Sequence, residues 1–173
     1  MTLARATQAT PVPERPRMTV AEPTTLTYLA RRGVAPQWRG FLRALVETLD
    51  ANLDVASRDA LLRAVGARLG TLSPLPACTG LAELEARMNE VHAATDWGWV
   101  EIAFDPQDQA LVLAHRAAPA VATEAELTGG WVGAVLEGLY GTWLASQPGA
   151  EPRLEPRRSE TTPGTITLRY RRD

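Results

Sequence analysis

The segment GGWVGAVLEGLYGTWLASQPGA, from Gly129 to Ala150, carries a single charged side chain, Glu137. The glycine pair at its start and the Pro148–Gly149 step near its end are typical helix boundaries, so we predict a long apolar helix between them. A helix on the surface of a small protein has a polar face, and this segment has none. The helix must therefore be covered on more than one side, either by other helices of the chain or by another subunit.

Two stripes recur along this helix at helical spacing. The large apolar residues are Val132, Leu136, Leu139 and Trp143, and the small ones are Ala134, Gly138, Gly141 and Ala145. Each interior glycine costs about 1 kcal/mol relative to alanine, and close approach of another backbone would explain that cost. Because a chain of 173 residues has few helices to spare, we predict that the small stripe is an oligomer interface.

Periodicity along the rest of the chain predicts an α+β fold. Helical spacing predicts three earlier helices: Gln37 to Leu53, Asp54 or Ser57 to a point before Gly70, and one that begins at Thr79. Alternation predicts a hairpin from Gly98 to Arg116 and, after the apolar helix, a weak strand near Arg153–Ser159 and a clearer one over Thr165–Tyr170. This order favours about four antiparallel strands, because the hairpin connections are too short for parallel crossovers.

The N-terminal region differs in composition from the rest. Residues 1–34 are rich in Pro, Thr, Ala and Arg, and we predict a flexible arm followed by one domain over 35–173. The end of the arm, Leu26 to Gly33, can dock as a short helix and bring Tyr28, Arg31 and Arg32 to a path or an interface. The chain shows no apolar run typical of a signal peptide or a membrane span. We therefore expect a soluble, cytoplasmic protein with no membrane insertion, and a periplasmic location stays open.

Several classes of chemistry are excluded by residue type. All 18 basic residues are arginine, which excludes a lysine Schiff base and a phosphate-loop lysine. Cys78 is the only cysteine, so the chain can form neither an internal disulfide nor a thiolate metal cluster. His92 and His115 lack metal-ligand spacing and are interpreted as structural. We predict no catalytic residue, cofactor or metal site, and the net charge of −2 gives no general attraction to nucleic acid or anionic lipid.

The tryptophans offer the clearest binding candidates. Trp97 and Trp99 are predicted to project from the same side of a strand, and aromatic faces stack on sugar rings. We therefore take both as weak candidates for sugar contact, and the alternative is that this side packs under a helix or a subunit. Trp38 and Trp143 lie on apolar helical stripes and are predicted to be in the core.

Two long stretches, TDWGWVEIAFDPQDQALVLAHRAAP and GGWVGAVLEGLYGTWLASQPGA, resemble the D subunit of bacterial cellulose synthase. The most specific parts are VLEGLYG-x-W over Val135–Trp143 and SQPGA over Ser146–Ala150. SRDALLRAVGARLG over Ser57–Gly70 is similar to a helix of that family, and TITLRYR occupies the place of its last strand. The similarity covers roughly Gln37 to Arg171.

The resemblance implies a non-catalytic accessory protein of bacterial cellulose synthesis. Members of the family form a homo-octamer built from dimers that arranges glucan chains or the synthase complexes, so the implied partners are other copies, other synthase subunits and β-1,4-glucan. Trp97 and Trp99 then become candidates for glucan contact. Two other functions stay open: an α+β module in which the apolar helix covers a small molecule or lipid, and a glycan hydrolase or transferase that uses Glu101, Asp105 or Glu137.

Overall fold

The described residues form five helices and four strands in the order that the periodicity predicted. The structure is a computed structural model that describes residues 22–172. The helices are α1 (Pro23–Arg32), α2 (Pro36–Asn52), α3 (Val55–Leu72), α4 (Leu81–Thr95) and α5 (Val132–Ala145). The strands are β1 (Trp99–Asp105), β2 (Ala110–Arg116), β3 (Glu155–Thr162) and β4 (Thr165–Arg171). The predicted α+β class and the four-stranded antiparallel sheet are confirmed.

The strands form one sheet in the order β1-β2-β4-β3, so the two predicted hairpins join through β2 and β4. Because successive side chains in a strand point to opposite faces, each row across the sheet belongs to one face. The rows on the helix-covered face are Val100, His115 and Ile166, and then Ile102, Leu113 and Leu168. The opposite face carries polar pairs such as Glu101 with Arg116.

Helix α5 lies between α3 and the sheet, and ten of its 14 residues are buried. Towards α3 the two backbones touch at one glycine of each helix. A Cβ added at Gly138 would lie 1.9 Å from the carbonyl oxygen of Arg63, and a Cβ added at Gly66 would lie 1.8 Å from that of Val135. Towards the sheet, the Tyr140 side chain reaches into the buried face.

This packing corrects two expectations about the apolar segment. The long helix predicted between Gly129 and Pro148 is not found, because α5 spans only 14 residues. Gly129 adopts a φ of +71° against the backbone of Val121, so the helix cannot include Gly129. The premise that the chain has too few elements to cover this helix is also wrong, since α3 and the sheet of the same chain cover it.

Helix α3 extends beyond its predicted end. It runs through Gly70 to Leu72, whereas the sequence pattern predicts an end before Gly70. A Cβ added at Gly70 would lie 2.8 Å from the Cβ of Thr142, so this glycine admits the neighbouring helix instead of ending its own. At the other end, Asp54 caps α3 as predicted and accepts a hydrogen bond from the Ser57 amide at 2.8 Å.

Side chains of the helices close much of both sheet edges. At the β1 edge, the amide group of Asn89 on α4 donates to the Val100 carbonyl oxygen at 2.8 Å and accepts from the Val100 amide at 2.7 Å. Glu85 accepts from the Ile102 amide at 2.6 Å. At the β3 edge, Glu137 of α5 accepts from the Arg158 amide at 2.8 Å. These contacts occupy backbone groups with which another strand would otherwise pair.

The apolar stripe of α2 lies partly outside the core. Val46 is buried, but Trp38, Phe41 and Leu45 are 55%, 56% and 43% exposed. The prediction that Trp38 belongs to the core is therefore wrong. Few elements of the chain pack against this side of α2, so its large side chains stay accessible, and Val65 on the neighbouring α3 is likewise 53% exposed.

The end of the predicted N-terminal arm forms α1 and docks on the domain. Leu26, Ala30 and Val34 are buried, and the Ala120 amide donates to the Ala30 carbonyl oxygen at 3.1 Å. The predicted arm over residues 1–34 is thus helical in its last part, while residues 1–21 lie outside the described residues. A boundary of the folded domain at residue 35 stays a prediction.

Candidate functional site

A groove lies where α1, the end of α4 and the start of β1 meet, and we call it the Trp99 groove. Its volume is about 530 Å³, which is within the usual range for ligand sites. The Trp99 indole is half-buried, and Arg32 and Asp96 bring a guanidinium and a carboxylate to the same lining. Tyr28 accepts a hydrogen bond from Arg32 at 2.9 Å. An aromatic face beside planar polar groups is suited to a ligand with apolar faces and hydroxyl edges.

The two predicted sugar-contact tryptophans are not brought together. Strand β1 begins only at Trp99, so Trp97 lies outside the strand. Gly98, between the two tryptophans, has a φ of +82°. The alternation of side chains that would place both indoles on one side of a strand therefore does not reach Trp97. Trp97 instead lines a separate pocket of about 60 Å³ with Val91 and Trp143, and it packs against the core. The expectation that both indoles project from one side of a strand is therefore wrong, and Trp99 alone of the two lines the groove.

A buried aromatic network lies beneath the Trp99 groove. His92 of α4, Tyr140 of α5 and His115 of β2 are all buried, and His92 also lines the groove. The Tyr140 hydroxyl lies 3.0 Å from Nε2 of His92 and 2.5 Å from Nδ1 of His115. The Nε2 of His115 lies 2.7 Å from the Trp97 carbonyl oxygen. One network thus connects two helices, one of the two central strands and the turn before β1.

The carbonyl group of Trp97 determines where the protons of this network lie. A carbonyl oxygen only accepts, so Nε2 of His115 must carry a hydrogen and Nδ1 must be the acceptor in the neutral ring. Tyr140 then donates to Nδ1 of His115, and its oxygen accepts from Nε2 of His92. Every contact is satisfied with both imidazoles neutral. The prediction that His92 and His115 are structural agrees with this arrangement, although no spacing in the chain indicates that they meet.

Burial explains the acid–base properties of the same three groups. It lowers the pKa of His92 from 6.5 to about 4. Burial, together with the nearby His92, lowers the pKa of His115 to about 3, although its bond to the Trp97 carbonyl acts in the opposite direction. Burial also raises the pKa of Tyr140 well above its ordinary value of 10.0. All three groups are therefore uncharged at neutral pH, which suits a network that stabilises the fold.

The four residues of the predicted oligomer interface lie in different surroundings. Ala134 is fully buried inside the chain, and Gly138 packs against the α3 backbone. Gly138, Gly141 and Ala145 also line an open groove of about 480 Å³ between α3, α5 and β3. For Gly141 the nearest atom to an added Cβ is the Cδ of Pro156, at 3.5 Å. Their role as an interface stays a prediction, and Ala134 is not accessible to a partner.

The three carboxylates considered for glycan hydrolysis are not brought together. Glu101 pairs with Arg116 at 3.0 Å and Asp105 with Arg169 at 3.1 Å, both on the solvent side of the sheet. Four residues along a strand separate them by about 13 Å, whereas glycosidase carboxylates lie about 5–9.5 Å apart. Glu137 is buried at the opposite edge, where it binds the Arg158 amide and the Arg63 guanidinium.

Sequence reasoning missed a second buried polar cluster, which joins α2, α3 and β3. Arg58 and Asp59 are both buried, and Arg58 also pairs with Asp50 at 2.7 Å. Arg158 of β3 bridges to Asp59 at 3.1 Å and donates to the Gly130 carbonyl oxygen at 2.7 Å. Charged residues on an amphipathic helix normally face solvent. The positions of Arg58 and Asp59 in the sequence therefore do not indicate that their side chains are buried. The ion pairs of this cluster fix α2 and α3 in position relative to β3.

The described residues contain neither a metal-ligand cluster nor a membrane-spanning helix. Between residues 22 and 172, no three histidine, cysteine or acidic side chains are grouped so that they could hold a metal ion. Within the same residues, every helix is too short or too polar to cross a lipid bilayer. Cys78 is partly buried, and its amide donates to the side-chain oxygen of Gln147 at 2.9 Å.

The sequence was compared with known families and proteins. A family model for the D subunit of cellulose synthase matches residues 24–171. Cellulose synthase operon protein D of Komagataeibacter xylinus is 37% identical over 116 residues, which make up 66% of this chain and 74% of that protein. The protein of the same name from Komagataeibacter sucrofermentans is 36% identical over 115 residues, with the same coverage. Because the family match extends from α1 to the last strand, this chain belongs to the family of cellulose synthase D subunits.

Proposed function

We propose that this chain is a non-catalytic accessory protein that self-associates into a scaffold or channel-like assembly for glucan export and ordered cellulose deposition. Its family gives it a role in cellulose synthesis. The observation that supports self-association is the exposed apolar surface of α2 and α3, formed by Trp38, Phe41, Leu45, Leu61 and Val65. Large apolar side chains that remain accessible on adjacent helices are typical of subunit interfaces.

The sheet edges support the same assignment. Asn89 and Glu85 occupy backbone groups of β1, and Glu137 occupies an amide of β3. Addition of a strand from another copy is therefore disfavoured at these positions. A large assembly would then form by contact between helical faces. The open groove beside Gly141 and Ala145 is a neighbouring surface that is also available for such contact.

Light scattering after size exclusion, across a dilution series of the full chain, tests this proposal. We expect an assembly of about eight copies, as the family resemblance implies. Phe41→Ser should lower the assembly mass, and Phe104→Ser is a matched control because the two rings are 56% and 57% exposed on different elements. A monomer at every concentration, or equal masses for both variants, would contradict the assignment of the surface.

We further propose that the Trp99 groove contacts a glucan chain. The half-buried indole offers a stacking face, and Arg32 and Asp96 offer hydrogen bonds to hydroxyl groups. Titration with cellohexaose, followed by calorimetry, should show binding that Trp99→Ala weakens at least tenfold. Phe104→Ala is the control, since Phe104 is an exposed aromatic residue outside both the groove and the proposed assembly surface. Equal affinities for the two variants would remove the groove from the glucan path.

A ligand cavity beside α5 receives less support. The pocket that Leu139, Trp143 and Trp97 share measures only about 60 Å³, which is too small for an acyl chain. The larger groove beside the helix, of about 480 Å³, is open and does not enclose a ligand. We therefore favour the assembly function over a lipid-binding module.

A further inference from the structure

A second groove, on the other side of α1, concentrates positive charge, and we call it the arginine groove. It measures about 560 Å³ and lies between α1, α2, the loop that precedes α5 and the β3–β4 turn. Arg31 of α1 and Arg39 and Arg43 of α2 all line it. Neither the proposed assembly surface nor the proposed glucan site uses this groove.

The three guanidinium groups differ in how their charges are balanced. Arg43 pairs with Glu47 at 2.7 Å and lies 3.7 Å from Glu124. Within residues 22–172, no carboxylate lies within 4.0 Å of Arg31 or Arg39. In this part of the chain, two charges of the same sign thus line one groove without a counter-charge.

Arg39 is nevertheless held in place. Its guanidinium donates to the Val34 carbonyl oxygen at 2.9 Å and to the carbonyl oxygen of Arg31. These neutral acceptors fix the orientation of the group but do not cancel its charge. A fixed guanidinium loses little freedom when it binds an anion, which favours affinity.

The distribution of charge along the chain strengthens this feature. From Pro23 to Asn52, which spans α1 and α2, the sequence has four arginines and two acidic residues, whereas the rest of the sequence has fourteen arginines and eighteen acidic residues. The net charge of −2 therefore averages over two regions of opposite sign. The expectation of no general attraction to nucleic acid or anionic lipid, drawn from that average, stays a prediction, and the local excess of positive charge lies at α1 and α2.

We propose that the arginine groove binds a phosphate-bearing ligand. A guanidinium group binds two phosphate oxygens at once. Two arginines that have no carboxylate partner among residues 22–172 match a doubly charged anion better than a single carboxylate. Thr27 and Thr128 bring hydroxyl groups to the lining, and Val121 and Leu127 bring apolar surface for an organic part of the ligand. A free phosphate compound and a lipid headgroup share this chemistry.

A purely structural role for Arg31 is the competing explanation. Arg31 and Arg32 are both in the last turn of α1, where positive charge is favourable at the negative end of the helix dipole. Arg32, however, lines the Trp99 groove and not the arginine groove. The two neighbours therefore form a matched pair with the same helix position and different grooves.

The test is calorimetric titration of the full chain with inorganic phosphate at constant ionic strength and neutral pH, for wild type, Arg31→Gln and Arg32→Gln. We expect saturable binding that Arg31→Gln weakens by about fivefold or more, because a basic residue near an anionic surface contributes about 1 kcal/mol. Arg32→Gln should change the affinity by less than about twofold, since its side chain faces the other groove. Unfolding without phosphate should be the same for both variants. No saturable binding by wild type, or equal losses in both variants, would overturn the proposal.

Two further probes identify the source of the phosphate. Phenyl phosphate should bind more tightly than inorganic phosphate if Val121 and Leu127 contact the organic part. Cosedimentation with vesicles that contain phosphatidylglycerol, lost in Arg31→Gln, would instead assign the groove to lipid headgroups. These two probes identify only the source of the phosphate. The titration with inorganic phosphate decides the proposal, and its failure would leave the oligomeric state and the glucan titration unaffected.

Discussion

The buried hydroxyl of Tyr140 offers the most stringent test of the fold. Replacement of Tyr140 by Phe keeps the aromatic packing but removes the atom that lies 3.0 Å from His92 and 2.5 Å from His115. The His92 N–H then loses its acceptor and Nδ1 of His115 loses its donor. A buried polar atom left unpaired costs about 1–3 kcal/mol, so the two together predict a loss of about 2–6 kcal/mol in the free energy of unfolding.

Urea and thermal unfolding, followed by circular dichroism, measure this loss. For a chain of this size, the thermal midpoint falls by about 2–4 °C for each kcal/mol lost, so it should fall by about 4–24 °C. Tyr170→Phe is the control: Tyr170 is also buried, and no hydrogen bond joins its hydroxyl to another residue in the described part of the chain. If Tyr140→Phe unfolds within about 0.5 kcal/mol of wild type, the network does not stabilise the fold as argued.

Three further predictions rest on specific contacts. Because His92 and His115 have folded pKa values of about 4 and about 3, against 6.5 when unfolded, the unfolded chain binds more protons below pH 6.5. Stability should therefore fall as the solution is acidified through that pH, by up to about 1.4 kcal/mol per pH unit for each histidine, and a urea midpoint that is unchanged or higher under mildly acidic conditions would contradict this. Gly138→Ala should destabilise strongly, since its Cβ would lie 1.9 Å from a carbonyl oxygen, whereas Gly141→Ala, with 3.5 Å of room, should gain up to about 1 kcal/mol; equal unfolding midpoints would refute this difference. Asn89→Ala should lose about 2–6 kcal/mol because two Val100 backbone groups lose their partner. Asn89→Asp keeps the acceptor but sets a carboxylate oxygen against the Val100 carbonyl oxygen, so it should not recover wild-type stability in urea unfolding.

The Gly138 contact changes how the predicted interface can be tested. A large residue at Gly138 would clash with the α3 backbone, so loss of assembly in such a variant would reflect unfolding. Gly141 and Ala145 remain accessible in the groove beside α3 and β3. Substitutions at Gly141 and Ala145 therefore test self-association of the chain with less effect on the packing of its core.

Local patterns are sufficient for most elements of this fold. Alternation in WVEIAFD and ALVLAHR predicts the first hairpin, and its observed bounds agree with the prediction. Asp54 is recognisable as a cap because capping depends on a few neighbouring residues. The scarcity of charge between Gly129 and Ala150 correctly indicates a helix covered on more than one side.

The same patterns fail where the answer depends on distant parts of the chain. Trp38 and Trp143 both lie on apolar stripes, yet the first is 55% exposed and the second is buried. Helical periodicity defines which residues share a face but not whether another element packs against it. Trp97 and Trp99 are likewise separated by the backbone at Gly98, whose positive φ no spacing rule reveals.

The sequence by itself therefore determined the class of fold, the order of its elements and, through VLEGLYG-x-W and SQPGA, the family. These features depend on residues close together in the chain, where sterics, capping and periodicity act. Only the tertiary structure decided that α3 covers α5, that His92, Tyr140 and His115 share one hydrogen-bond network, and that Arg31 and Arg39 line one groove. Such contacts join residues far apart in the chain, and they follow from the packing of whole elements against one another.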